Sequence, residues 1–157
     1  MSAVAGAGIA VAGEMAVDLS GPASEPDASE VGARLKAFDE PQDPRSALER
    51  YYSSLQAGDA AAAYDLLSTD RKRDVGDKNS WVKVVTSESY RRVRVVSITS
   101  PSPDESLGVV SYRADTSTGK CEDRIVRRAI VKEPKGWRVD EINVLNRRAC
   151  LMSSRIP

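Results

Sequence analysis

Apolar residues recur every three or four positions up to about Val85, and from Tyr90 onward they alternate with polar ones. That change of period divides the chain into a helical half and a strand half. In the first half Leu48, Tyr51, Tyr52 and Leu55 make one apolar helix face. Asp43-Pro44 starts this helix, because an Asp side chain accepts from exposed backbone N–H groups and Pro suits the first helical position. Gly58 fits the left-handed position that ends a helix. Asp59 caps a second, Ala-rich helix that carries Tyr64, Leu66 and Leu67. Ser68 to Lys78 is polar, with Arg71, Lys72 and Arg73 in a run, and reads as a helix end followed by a surface loop. Asp77 or Asn79 then caps a third short helix with Trp81, Val82, Val84 and Val85.

The second half holds four β-branched, partly alternating runs: YRRVRVVSIT, LGVVSYRA, CEDRIVRRAIVKE and WRVDEINVL. Turn-forming segments separate them at Pro101–Glu105, Asp115–Gly119 and Pro134–Gly136. Strands joined this closely form an antiparallel meander. One face packs on the helices. The other is protected by arginines or used in an interface. The fold class expected is therefore α+β, with N-terminal helices packed across a curved antiparallel sheet.

Residues 1–42 lack these periods. Met1 to Gly13 is an uncharged Ala/Gly/Val-rich run, too short to span a bilayer, which needs roughly 20 apolar residues. No basic residue precedes it, as a secretory signal would require. It reads either as the trailing part of a longer apolar segment or as a small-residue tail. Ser20 to Glu30 is rich in Pro, Ser and acid and is expected to be a disordered linker. Val31, Leu35 and Phe38 fit one face of a brief helix closed by Pro41. The expected division is a leader over 1–42, one domain over 43–148, and a tail over 149–157.

Charge sharpens that division. Residues 1–70 carry 12 Asp/Glu and 4 Lys/Arg, whereas residues 71–157 carry 11 and 19. Arg91, Arg92, Arg94, Arg113, Arg124, Arg127, Arg128 and Arg138 all lie on strands, and some must align into a basic patch, with Arg92, Arg94, Arg113, Arg124, Arg127 and Arg128 its expected members. Such a patch is either a solvated sheet face or a surface for an acidic protein or headgroup partner. Nucleic acid is not expected, because only Tyr90 and Tyr112 supply aromatic rings among the arginines. The chain has no histidine and two cysteines, so no cofactor and no metal site is expected.

The two cysteines fall at the ends of the last two strands. A turn at Pro134–Lys135 sets Cys121 opposite Arg148, two positions from Cys150 on the same side of the sheet. A bulge or a curl of the chain after Arg148 would bring the two into disulfide range. A bridge between Cys121 and Cys150 is the expectation, and with it an oxidising compartment.

The order of pieces (Tyr52, Gly58-Asp59, Ala63, Leu66-Leu67, a short third helix, then a meander ending in Gly136-Trp137) resembles the nuclear-transport-factor-2-like superfamily over roughly Asp43 to Leu145. That resemblance implies a cystatin-like cone, with helices lying across a strongly bent sheet. The superfamily includes ketosteroid isomerases, polyketide cyclases, transport adaptors and extracytoplasmic domains of bacterial envelope proteins, and the chain looks most like the last group. The implied cavity lies between helices and sheet, where Tyr52, Tyr64, Trp81, Tyr112 and Trp137 are expected either to line a ligand site or to serve as ordinary core. The leading functional expectation is a non-enzymatic extracytoplasmic domain that binds a partner protein or a small apolar ligand. It would be tethered to a membrane through the leader, and homodimerisation through the sheet face is a further expectation. The alternative is a cytosolic isomerase or cyclase with a buried Asp and a Tyr, for which Asp65, Asp140 and Glu141 are the candidate acids.

Overall fold

The computed structural model describes residues 40–150. Four helices, α1 (Pro44–Gln56), α2 (Ala60–Asp65), α3 (Thr69–Val75) and α4 (Lys78–Val85), precede four strands, β1 (Glu88–Ser102), β2 (Glu105–Thr116), β3 (Cys121–Glu133) and β4 (Gly136–Ala149). Every helix starts on a short polar side chain: Asp43, Asp59, Ser68 and Asp77 accept from the backbone N–H of Ser46, Ala62, Arg71 and Ser80. Each such cap stabilises its helix by about 1 kcal/mol. Gly58, between α1 and α2, has φ +78°, a left-handed conformation that side chains with a Cβ resist.

Helix α3 corrects the expectation of a loop over 68–78. None of its residues is buried, so it carries no apolar stripe for a period to reveal. Its signals are the Ser68 cap and Gly76 just past its end. The expected helix around Val31, Leu35 and Phe38, and the linker before it, lie outside the described residues.

The strands form one antiparallel sheet in the order β1-β2-β3-β4. On β2 and β3 even-numbered residues face the helices: Val110, Tyr112, Ala114, Val126 and Ile130 are buried there. Leu48 and Tyr52 of α1 complete the core from the other side, both at most 1% exposed. Burying a side chain of this size stabilises by roughly 1.5–3 kcal/mol. Gly108 lets α1 approach, since a Cβ there would collide with the Leu48 side chain. The segment after α2 is stitched to β4 by Ser68 N donating to Val139 O and Val139 N donating to Leu66 O, both at 2.9 Å.

Bulges bend the sheet and set its register. In β1 an extra residue lies between Arg91 and Arg94, and Arg92 there adopts φ +52°. In β4 the register shifts twice against β3, between the pairs Ile130↔Val139 and Arg128↔Ile142, and again between Val126↔Val144 and Ile125↔Asn146. Together they advance β4 by two residues. Cys150 therefore arrives opposite Cys121, and the two form a disulfide with Cα atoms 5.3 Å apart. Folded contacts extend past the expected 43–148 limits at both ends, through this bridge and through an ion pair between Glu40 and Arg138.

Candidate functional site

A cavity of about 490 Å³ opens between α3, α4 and the inner face of the sheet. Its wall is mostly apolar: Trp81 and Val85 from α4, Tyr90 and Tyr112 from β1 and β2, Ile142 and Val144 from β4. Four arginines, Arg71, Arg124, Arg128 and Arg147, also line it, and among the described residues no Asp or Glu does.

Arg128 lies at its floor, 5% exposed. Its Nε donates to the Tyr52 hydroxyl at 3.2 Å and its Nη2 to the Tyr51 hydroxyl at 2.9 Å. Nη1 donates to the Asp140 carbonyl at 3.3 Å. The guanidinium carbon sits 4.9 Å from the Tyr51 ring centre and 5.8 Å from that of Tyr52, within cation–π range. Among the described residues no carboxylate forms an ion pair with it. The tyrosines continue as a packed chain, Tyr52 to Tyr112 at 5.5 Å and Tyr112 to Tyr90 at 5.4 Å between ring centres. Burial pushes the Tyr52 phenol up to about 12, with nearby Arg128 offsetting part of that rise. Burial likewise raises Tyr90.

Arg124, two inner positions along β3 from Arg128, has the opposite partners. It forms a two-pronged pair with Glu88 at 2.7 Å per bond and a further bond to Glu122 at 2.8 Å. Its cross-strand neighbour on β4 is Arg147, exposed and without an ion pair among the described residues.

The five aromatics named from the sequence do not act together. Trp81 and Tyr112 line the cavity. Tyr52 is sealed beneath it, behind Arg128, Tyr51 and Tyr112. Tyr64 stands behind Trp81, donates to the Gly76 carbonyl at 2.8 Å, and has the Lys72 and Lys78 ammonium groups over its ring. Trp137 is buried beside the β3–β4 hairpin, its backbone N–H donating to the Pro41 carbonyl. The expectation that all five form one site is corrected: Tyr64 and Trp137 have structural duties elsewhere.

The single basic patch is also corrected. Arg124 and Arg128 are buried on the inner face, whereas Arg92, Arg94, Arg113 and Arg127 stay on the outer one. Arg92, Arg94, Arg113 and Arg148 surround an outer furrow of about 670 Å³. There Arg113 is bonded to Asp123 at 2.8 and 3.0 Å, and this hydrogen bonding holds the Asp123 carboxyl below its usual range. The exposed apolar residue in that furrow is Ile125, at 39%. Among the candidate acids, Asp65 pairs with Lys78 at 2.8 Å, Asp140 accepts from the Ser68 hydroxyl at 2.7 Å, and Glu141 is exposed. None of the three lines the inner cavity.

Tyr51, Ile142, Val144 and Arg147 were not singled out by the sequence. One signal was present for the inner arginines. Arg124 and Arg128 share strand parity with Val126 and Ile130, and two residues of spacing always return to the same face. The parity of Ile142 and Arg147 was hidden by the β4 bulges, which have no marker in the residue types.

No family model matches the chain, and no curated protein matches it. Solved structures do. A SEC-C motif containing protein from Rhodopseudomonas palustris superposes with a TM-score of 0.56 at 14% identity, over 75% of this chain and 88% of that one. A computationally designed 17-OHP binder superposes with a TM-score of 0.53 at 13% identity, over 71% and 100%. A domain of unknown function with a cystatin-like fold from Nostoc punctiforme reaches 0.44 at 11% identity, over 79% and 80%. The fold is shared. At these identities nothing further follows from the likeness.

Proposed function

We propose that this protein is a non-enzymatic binding domain whose inner cavity takes a small, largely apolar ligand. The observation that carries this reading is the cavity itself: an apolar wall over an arginine floor, with no carboxylate among the described residues that line it. Its size is within the range of about 300–1,000 Å³ usual for small-molecule sites. Proton abstraction of the isomerase kind would need an acid where Asp65, Asp140 and Glu141 are not. The designed 17-OHP binder supports the reading only as an example of a similar fold that binds 17-OHP. The test is displacement of a hydrophobic fluorescent dye from the full chain. Val144→Trp, at the cavity wall, is expected to abolish dye uptake; uptake equal to that of the original chain sinks the reading.

The domain's proposed setting is extracytoplasmic, tethered through the N-terminal leader. The Cys121–Cys150 bridge supports this, since such bonds persist in oxidising compartments. Among the described residues no helix is long and apolar enough to cross a membrane. A count of two free thiols on unreduced protein taken from its native host would end the extracytoplasmic reading.

A second reading rests on the outer furrow. Arg92, Arg94 and Arg148 have no ion pair among the described residues and adjoin Ile125, which suits a protein partner presenting acidic and apolar groups. Pairing with a second copy through this face is the other use of it. Light scattering at high protein concentration separates the two, since only self-pairing gives a dimer.

A further inference from the structure

The charge of the cavity says more than its shape. A guanidinium offers five N–H donors, and three of those on Arg128 are taken by Tyr51, Tyr52 and the Asp140 carbonyl. The remaining two belong to a buried cation on the cavity wall whose described partners are all neutral. A buried charge normally sits with an opposite one, because leaving water is costly. At the rim a second feature points the same way. Arg124 and Arg147 are direct cross-strand neighbours on the inner face, and like charges so placed destabilise a sheet. Glu88 and Glu122 neutralise Arg124, which leaves Arg147 free to face the cavity. Arg71 lines the cavity from α3.

Resting on the cavity as a ligand site, we infer that its ligand is an amphipathic organic anion. Its carboxylate-like head meets Arg128 and Arg147, and its apolar body lies against Trp81, Val85 and Ile142. The head supplies the negative charge that the described lining of the cavity lacks. The tyrosine pair fixes the Arg128 fork, so little side-chain entropy is lost on binding. Because the head and body make separate contacts, charge and apolarity should contribute separately to affinity.

The experiment titrates the full chain with decanoate and with decan-1-ol, following Trp fluorescence and heat. Both have the same apolar body, and only the acid carries a charge. The acid is expected to bind at least about tenfold more tightly, as one charge-assisted hydrogen bond provides. Its advantage should shrink as salt is added, while binding of the alcohol stays unchanged. Arg147→Glu, at an exposed position, should cut decanoate affinity by about tenfold and spare decan-1-ol, while keeping the circular dichroism spectrum of the original chain. Arg147→Lys should retain most of the acid's advantage. Equal binding of acid and alcohol overturns this inference and leaves the cavity a site for neutral ligands. Binding of neither overturns both the inference and the reading beneath it.

Discussion

Arg127 and Arg128 are adjacent in the chain and opposite in circumstance. Arg127 lies on the outer face of the sheet, exposed. Arg128 lies on the inner face, wrapped by two tyrosine hydroxyls and their rings. The same contrast separates Arg91 and Arg113 from Arg124, whereas at the sheet's two ends the outer Arg138 is buried against Glu40 and the inner Arg147 is exposed. Outer arginines stand in water or meet single acids such as Asp115 and Asp123, where screening leaves an ion pair little net value. Inner arginines occupy sites where every hydrogen-bond partner has consequences. Residue type alone therefore says little about what an arginine does; the face on which it lands decides whether it is a solubilising group or a fixed cation.

The sharpest break of this comparison is a paired substitution. Arg128→Met should lower unfolding free energy by roughly 3–4 kcal/mol, because two buried phenol hydroxyls lose their donor at about 1–3 kcal/mol each. Arg127→Met should leave the denaturation midpoint where it was. Similar losses at both positions would mean that the two faces do not differ as described. Next is the bridge that closes the end of the sheet where Arg124 and Arg147 meet. Replacing both Cys121 and Cys150 by Ser opens a loop with a sequence separation of 29 residues. It should cost about 3 kcal/mol in the same denaturation measurement.

An alkaline titration follows. The Tyr52 phenol has its pKa raised from 10.0 to about 12 by burial, so the folded state holds this proton more tightly than the unfolded chain. Its stabilising contribution is complete below pH 10.0 and is lost as pH rises through about 12. The loss amounts to about 2–3 kcal/mol across that window. Tyr52→Phe should flatten this part of the stability profile, read by tyrosinate absorbance against circular dichroism. The smallest effect contrasts neighbours on β2. Gly108→Ala, under Leu48, should cost about 1–2 kcal/mol through overpacking. Val109→Ala on the outer face should cost less, and a reversed order in thermal melts would contradict the assignment of faces.

Much of the fold was legible because local rules and tertiary structure agree along most of the chain. The Asp43, Asp59 and Asp77 caps, the Gly58 corner and the four strands needed only short-range chemistry. Helix α3 was missed because it buries nothing, so no period marks it. The aromatic site was misjudged for a different reason. A Tyr on an apolar face is compatible with core, cavity wall or a half-buried structural contact, and Tyr52, Tyr112 and Tyr64 came to occupy those three places in turn.

The cysteines show most clearly where local information ends. Their residue types and the hairpin turn brought them within two positions of each other. The bulges after Val139 and around Leu145 supplied the missing two residues. Bulges arise from how a strand must bend to follow the helices it covers, and that demand comes from the assembled core. The sequence by itself determined most of the elements, their order, their caps and the expectation of a bridge between the last two strands. Only the tertiary structure decided which arginines entered the cone, which tyrosines reached its cavity, and that among the described residues no acid lines that cavity. Those outcomes depend on register and curvature, which are properties of the whole sheet and belong to no single stretch of residues.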